Sequence, residues 1–427
     1  MEQQLFSELR TLYSLSWGKS NVIRLRIRMR DLVDSDSLRY AVETTMNRYP
    51  YFCVELKKAE EYYFAQNDRP VVITNSLSGV ELNTAESNYH LVSFSWMDNW
   101  IIMDISHAIT DGTGAYEVLR TLLFYYVSSR YGVKLEEDGI RLVGDDICIE
   151  EWEDPVLKAQ NLPVPPRTEM SDALNVVSTA GLENDKIPTV YSIAIPEDEF
   201  MRFNIQNDGS PATMVSLFLS RSIAKMYPDS EDVIRIAMTV NQRNALRAPL
   251  AHQTLVGGVM LEYKEKLRSW PLDRQATAYR GMVFAQTRDE AVLASVASQK
   301  GIGQMILSKE SDQERAAIAQ MIGDMAGKIL TATVSYVGKA NYKEAEEYIR
   351  DFRTWTNGSA NFILIEIAAV NGRFTLDFLQ PFKSPLYVNA FLKELEDNDI
   401  TYDLQDVMNL EMPDVKLPWR YENRQDN

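Results

Sequence analysis

The chain has 427 residues, of which 45% are hydrophobic and 25% charged, and its formal net charge is −17. Because a single hydrophobic core stops growing at roughly 250 to 300 residues, this length predicts two lobes or domains. The negative charge would repel phosphate backbones, and no basic run is interleaved with aromatic residues, so nucleic acid is excluded as an expected partner.

Targeting segments and metal or disulfide sites are not expected either. The start, MEQQLFSELRTLY, lacks the apolar core of a secretory signal, and no stretch approaches the ~20 apolar residues of a membrane span. Cys53 and Cys148 lie far apart and outside metal-ligand spacing, which predicts reduced, buried thiols and neither a disulfide framework nor a metal site. We therefore expect a cytoplasmic protein.

The first predicted elements are short strands around one helix. Residues 20–30, SNVIRLRIRMR, alternate apolar and basic side chains as a half-solvated strand does. The next stretch, DSDSLRYAVETTMNRYPYF, predicts a helix that Asp34, Ser35 or Asp36 caps and that Pro50 ends before another strand. The aromatic-rich residues 60–73 predict two short strands. Two further strands meet at Asp98 and Asn99, which favour a tight hairpin turn.

The second hairpin strand, predicted to end at Ser106, leads into the string HAITDG and then into an amphipathic helix. Two interpretations of this corner remain open. His107 could be a working base, because a neutral imidazole accepts protons near pH 7. Alternatively, Asp111 or Thr113 caps the helix, Gly112 and Gly114 relax the backbone, and His107 merely bonds a carbonyl. The other two histidines, His90 and His252, are expected to be exposed.

The second half of the chain repeats the mixed pattern. Residues 161–187 begin with NLPVPP and predict a linker. Beyond them we predict a strand and helix near residues 189–203, a helix capped by Ser210, and a strand that ends at residues 241–243. Helical stretches follow at about 272–298 and 311–328, then three strands, ILTATVSYVG, NFILIEIAAV and GRFTLDFLQP, and a last helix in SPLYVNAFLKELEDN. These elements predict an α+β (mixed α/β) chain with lobes at 1–160 and 188–427.

The corner resembles the His-x-x-x-Asp-Gly signature of the chloramphenicol-acetyltransferase-like acyltransferases. This superfamily includes condensation domains of peptide synthetases, alcohol acetyltransferases and polyketide-associated acyltransferases. Weaker strings in the expected order, LRYAVETTMNRYPYF, TVNQR and TVSYVGK, extend the resemblance over nearly the whole chain. Ser106 stands where condensation domains carry another histidine, and the Asp-Phe-Gly-Trp-Gly string of the plant enzymes is absent. Both departures favour a free-standing enzyme.

The resemblance implies a monomer of two such lobes with a tunnel between them. It implies transfer of an acyl group from acyl-CoA, or from phosphopantetheine on an acyl carrier, to the hydroxyl or amine of a small acceptor. The alternatives are a condensation-type enzyme that joins carrier-bound groups, and a non-catalytic protein that binds an acyl ligand or a partner.

Roles for individual residues follow from the same resemblance. His107 is the expected general base, Asp111 shapes the corner, and the Gly112 amide faces the developing oxyanion. Arg243, preceded by Asn241, is expected to pair with Asp111 and bridge the lobes. Ser335, Thr333 or Ser106 are expected in the tunnel or the oxyanion site. No resident cofactor or metal is implied.

Overall fold

The computed structural model describes residues 7–16, 18–166 and 169–421. Two sheets with flanking helices form two adjoining bodies, so the predicted mixed architecture of two lobes is confirmed. Within the described residues, no helix combines the length and apolar character needed to cross a bilayer.

The first lobe is built on a five-stranded sheet, in the order β13 (Ile349–Trp355), β3 (Val22–Met29), β8 (Trp100–Ser106), β7 (Val92–Met97) and β6 (Ile73–Asn75). Its two long helices, α1 and α2, pack on each other and share one core with these strands. The elements of this part of the chain are β1 Leu15–Ser16, β2 Lys19–Ser20, β3 Val22–Met29, α1 Ser35–Arg48, β4 Val54–Lys58, β5 Tyr62–Gln66, β6 Ile73–Asn75, β7 Val92–Met97, β8 Trp100–Ser106, α2 Gly112–Tyr131, α3 Ile149–Trp152 and α4 Pro155–Lys158.

The second lobe is built on a seven-stranded sheet with the order β11-β10-β12-β14-β15-β9-β16. Helices α7, α9 and α12 contribute to the core on one face of this sheet. The elements are α5 Val176–Thr179, β9 Thr189–Pro196, α6 Glu197–Gln206, α7 Pro211–Met226, β10 Ile234–Asn241, β11 Val256–Tyr263, α8 Glu265–Arg268, α9 Leu272–Gln286, α10 Asp289–Leu307, α11 Asp312–Ile329, β12 Ala332–Tyr336, β13 Ile349–Trp355, β14 Ile363–Val370, β15 Arg373–Gln380, α12 Leu386–Asp397, β16 Asp403–Asn409 and α13 Pro418–Tyr421.

The second half of the chain contributes one strand to the sheet of the first lobe. β13 belongs to the second half of the sequence, yet it pairs antiparallel with β3 at the edge of the first sheet. Its Trp355 donates from Nε1 to Asp377 on β15 at 2.5 Å, and Arg353 donates to Ser192 on β9 at 2.9 Å. The lobe boundary proposed from the sequence, at residue 188, therefore leaves one strand of the first sheet on the other side.

Strand β3 is not half-solvated as predicted, since seven of its eight residues are buried. Two of its three basic side chains, Arg24 and Arg26, lie inside because each has a partner. Arg24 forms a bidentate ion pair with Asp104, at 2.7 and 2.9 Å. The guanidinium of Arg26 lies between the rings of Trp100 and Trp355, at 4.5 and 4.4 Å from their centroids. A buried cation needs such contacts, which alternation in the sequence does not reveal.

Two other predictions about elements were incomplete, and one about a cysteine was wrong. Strands β11, β13 and β16 were missed, and β16 follows the helix that was predicted to be last. The helical stretch 272–298 is divided between α9 and α10, with a break at residues 287 and 288. Cys148 is exposed rather than buried, whereas Cys53 is partly buried.

Candidate active site

The histidine corner lies where β8 passes into α2, between the two sheets. The backbone N–H of His107 donates to the carbonyl of Asn21 at 3.0 Å, which fixes the end of β8 against the start of β3. The His107 side chain is half-buried and lines a cavity of about 290 Å³ together with residues of both lobes. The imidazole predicted to be functional is therefore open to a ligand-sized space.

A threonine from the second lobe orients the imidazole of His107. Thr254 donates from Oγ1 to the carbonyl oxygen of His107 at 2.8 Å, and the same Oγ1 lies 3.4 Å from His107 Nδ1. A hydroxyl carries one proton, so Oγ1 can only accept from Nδ1. This assignment places the ring proton on Nδ1 and leaves Nε2 with a free lone pair. The imidazole is thus held in the tautomer that can take up a proton at Nε2.

Thr254 also lines a second cavity of about 220 Å³. This cavity is formed by the N-terminal turn Ser7–Leu12, the α4 region and α10. The contacting pair of His107 and Thr254 therefore adjoins both cavities. Glu8, in the wall of the smaller one, lies close enough for an electrostatic interaction with His107, and burial raises the pKa of the Glu8 carboxyl. Sequence reasoning missed Thr254, and the loop around it carries no motif that would have identified it.

Asp111 and Arg243 form the predicted ion pair between the lobes. Both side chains are almost fully buried, and the guanidinium binds the carboxylate through two hydrogen bonds of 2.9 Å. The remaining Arg243 donors reach the carbonyls of Ala251 and Gln253. Asn241 accepts the backbone N–H of Arg243 at 2.9 Å and also lines the larger cavity.

Asp111 also caps helix α2, as the second interpretation of the corner predicted. Its carboxylate accepts the N–H groups of Thr113 and Gly114, and additionally that of Leu255 at 2.9 Å. With five donors around it, this carboxylate has no lone pair to spare for substrate chemistry. Asp111 therefore links the N-terminus of α2 to Arg243 and Leu255 of the second lobe.

The glycines of the corner are required by close approach. A Cβ on Gly112 would lie 2.4 Å from Val337 Cγ2, and a Cβ on Gly114 would lie 2.4 Å from the carbonyl oxygen of His252. Since Asp111 takes the next two N–H groups of α2, the Gly112 N–H has no acceptor among the described residues. It is an unused donor at a helix N-terminus, at the wall of the cavity.

One face of the second sheet forms the opposite wall. On β12, Thr333 and Ser335 line the cavity while Ala332 and Val334 enter the core of the second lobe. Successive side chains of a strand point to opposite faces, so this alternation is what a strand at a lobe interface requires. Ser106 differs from these two residues, because it is buried and its Oγ accepts the N–H of Ala108.

A carboxyl group that sequence reasoning missed lies in the same wall. Glu366 is on β14, opposite Ser335 in the parallel pairing, and is 5% exposed. Burial raises the pKa of its carboxyl to about 7. A signal was present in the sequence, since Glu366 is the one charged residue in the apolar run ILIEIAAV.

His90 and His252 are both buried, so the expectation that they are exposed was wrong. His90 Nε2 lies 2.7 Å from the Arg69 carbonyl. His252 Nδ1 contacts the Tyr51 hydroxyl at 2.6 Å, and the His252 carbonyl accepts from Thr110 Oγ1 at 2.6 Å. Burial lowers the pKa of His252 to about 3. His252 is therefore a neutral ring, and its backbone carbonyl holds the loop that carries His107 through the bond from Thr110.

Comparison with known proteins adds evidence on the fold. No family model and no curated protein sequence matches the chain. Many solved structures do match it, including the following three. Polyketide synthase associated protein 5 from Mycobacterium tuberculosis matches with a TM-score of 0.61 and 13% identity, over 92% of this chain and 97% of that one. TRI101 of F. sporotrichioides, in complex with coenzyme A and T-2, matches with a TM-score of 0.61 and 10% identity, over 94% and 99%. The first condensation domain of the CDA synthetase matches with a TM-score of 0.53 and 12% identity, over 93% and 95%.

Proposed function

Since the chain has the two-lobed fold of the chloramphenicol-acetyltransferase-like acyltransferases and condensation domains, we propose that it is a thioester-dependent acyltransferase. The acyl group passes from acyl-CoA directly to the hydroxyl or amine of a small acceptor, with His107 as general base. The observation that carries this proposal is the pairing of His107 with Thr254 at the cavity wall, which leaves Nε2 of the imidazole free to accept a proton.

The reaction needs one proton acceptor that later becomes a proton donor. Nε2 of His107 takes the proton of the acceptor as its oxygen or nitrogen attacks the thioester carbonyl. The tetrahedral intermediate then collapses with cleavage of the C–S bond, and the imidazolium returns the proton to the departing thiolate. The products are the ester or amide and free CoA. No covalent acyl-enzyme is needed.

The negative charge that develops on the carbonyl oxygen needs a donor. The unused N–H of Gly112 at the start of α2 is the proposed donor, because it carries the partial positive charge of a helix N-terminus. The hydroxyls of Thr333 and Ser335 lie in the same cavity, and Ser335 also bonds to Glu366. Ser335 is therefore the less free of the two.

The donor cavity is proposed to be the smaller one beside Thr254. Its lining is largely apolar, which suits a pantetheine chain, and Lys300 and Arg10 are among the residues that line it. Coenzyme A is bound in the TRI101 structure, which supports acyl-CoA as the donor here. A carrier-bound donor is the alternative, which the condensation-domain likeness supports.

The test is CoA release from acetyl-CoA in the presence of a panel of alcohols and amines. We expect His107→Ala to lower the rate by a factor of 10² or more, on the order of what a general base contributes. The matched control is Cys148→Ser, which removes an exposed thiol that would react with thiol reagents and should keep the full rate. Wild-type protein that consumes no thioester, or a His107→Ala variant with the full rate, would refute the proposal.

The same assay distinguishes an acyl carrier protein from acyl-CoA as the acyl donor. An acyl group loaded on phosphopantetheine of a carrier protein is offered beside acetyl-CoA at equal concentration. Turnover with the carrier alone would assign the condensation-type function instead.

A further inference from the structure

Among the described residues, no positively charged side chain pairs with the carboxyl group of Glu366. It lies on β14, in the middle of the seven-stranded sheet, between β12 and β15. Its neighbours Ile365 and Ile367 enter the core of the second lobe, so Glu366 points to the other face, towards the first lobe. There it lines the larger cavity together with Leu364.

The contacts of Glu366 are two hydroxyls. Thr356 donates from Oγ1 to Glu366 Oε1 at 3.2 Å, and Ser335 is the second hydrogen-bond partner. No lysine, arginine or histidine in the described part of the chain forms an ion pair with it. Its cross-strand neighbour on β15 is another carboxyl, Asp377.

Asp377 shows what a structural buried carboxyl looks like in this protein. It accepts from Trp355 Nε1 and from Ser192. Burial raises the pKa of its carboxyl, and the charge of the nearby Arg353 offsets part of that rise. It does not line the cavity. Glu366 has no such charged partner, so a counter-charge for its ionised form would have to come from a ligand that enters the cavity.

The wall around Glu366 is rich in hydroxyl groups. Besides His107 and the corner, the cavity is lined by the hydroxyl side chains of Thr239, Thr333, Ser335, Thr354 and Thr356. Apolar side chains complete the lining: Ile23, Val240, Val256, Val337, Phe362 and Leu364. The wall therefore suits a ligand that has both polar groups and an apolar body. The volume of about 290 Å³ corresponds to roughly ten water molecules at ~30 Å³ each, which suits a small acceptor.

We infer that the acceptor is a small amino alcohol or polyamine whose ammonium group binds Glu366 while another hydroxyl or amine is acylated at His107. This inference rests on the proposed acyltransferase function. The ammonium supplies the counter-charge that the protein itself does not provide. The net charge of −17 also favours the approach of a cation.

Two alcohols of the same shape test the inference. 4-(Dimethylamino)cyclohexanol carries an ammonium that cannot be acylated, and 4-isopropylcyclohexanol replaces it with an uncharged isostere. With acetyl-CoA, we expect kcat/KM of wild-type protein to be about tenfold or more higher for the amine, as for a desolvated charge pair. In Glu366→Gln the ratio should fall to about one. Equal values in wild-type protein, or a preference that survives in Glu366→Gln, would overturn the inference.

A binding readout keeps this test independent of catalysis. The amine should raise the midpoint of thermal unfolding of wild-type protein and of His107→Ala, but not that of Glu366→Gln. Asp377→Asn is the control for loss of a buried carboxyl and should keep the response to the amine if it folds. Absence of any shift in wild-type protein with the amine would also overturn the inference.

Failure of the proposed function gives a different pattern. Slow hydrolysis of acetyl-CoA, with water as acceptor, should require His107 and reports the thioester chemistry in the absence of the amine. If no thioester is consumed while the amine still stabilises wild-type protein through Glu366, only the acyltransferase proposal fails. Glu366→Leu gives the same expectations as Glu366→Gln and fills the site with an apolar side chain.

Discussion

Replacing Asp111 by asparagine tests the role of the buried ion pair between the lobes. The carboxylate accepts five hydrogen bonds, two of them from Arg243. Asparagine has one acceptor oxygen, and its amide N–H₂ would face at least one of the donors. The guanidinium would also stay buried without a counter-charge. Removing one partner of such a pair costs about 3–5 kcal/mol.

This free energy converts into a measurable shift. At about 2.1 cal/mol/K of unfolding entropy per residue, 427 residues give about 0.9 kcal/mol/K, so ~4 kcal/mol lowers Tm by about 4–5 °C. Thermal unfolding and urea denaturation, followed by circular dichroism, measure it. The cooperativity of the transition should be recorded in both, because separate unfolding of the lobes would enlarge the shift.

Asp34→Asn is the matched control. Asp34 is also an N-cap, of α1, and accepts the N–H of Ser37 at 2.8 Å, but it has no ion pair. Asparagine and aspartate are nearly equal as caps, so this variant should change the free energy of unfolding by a few tenths of a kcal/mol. The difference between the two variants isolates the pair with Arg243.

A double variant closes the cycle. Arg243→Met should cost about as much as Asp111→Asn, and the two together should cost clearly less than their sum, because neither leaves the other charge unpaired. The reasoning is refuted if Asp111→Asn is as mild as Asp34→Asn, or if the two costs add.

Three further predictions concern the glycines of the corner and the shifted pKa values of Glu366 and His252. Gly112→Ala should reduce activity because the added methyl group clashes with Val337, and Val337→Ala should partly restore it. Gly114→Ala clashes with the backbone carbonyl of His252, so no side-chain substitution should restore its activity. Thermal stability and the rate of CoA release are measured for each variant. Because the folded pKa of Glu366 is about 7 against an ordinary 4.5, the folded state keeps a proton that the unfolded chain loses, so stability falls as pH rises from 4.5 to 7. Glu366→Gln should remove up to about 3 kcal/mol of this fall in the free energy of unfolding. Urea denaturation of the variant that shows the same pH dependence as wild-type protein from pH 4.5 to 8 would contradict the prediction. For His252, with a folded pKa of about 3 against 6.5, the unfolded chain binds the extra proton, so stability falls as pH drops from 6.5 and His252→Asn should flatten that fall in the same urea titrations.

Local rules in the sequence determined most of the elements. Asp34 and Ser210 start helices where capping rules place them, and Asp98 turns between β7 and β8 with a φ of 52°. The same rules located the corner of His107, since a strand-to-helix change needs only local periodicity. The pairing of Asp111 with Arg243 was expected from family resemblance, and the structure has it.

What the sequence missed depends on partners distant along the chain. The alternation of apolar and basic residues in β3 correctly indicated a strand. Arg24 and Arg26 are buried because Asp104, Trp100 and Trp355 contact them, which the alternation does not show. β13 was missed because its pairing partner, β3, lies more than 300 residues earlier. His252 was assigned to the surface because a loop histidine without periodicity carries no information on burial.

The candidate site divides in the same way. His107, Asp111 and Gly112 belong to one contiguous string, so their spacing is a property of the sequence alone. Thr254 and Glu366 become part of the site only when the second lobe packs against the first and encloses a cavity. A hydroxyl that fixes a tautomer and a carboxyl without a counter-ion are defined by their surroundings, which are set by tertiary packing and not by local sequence.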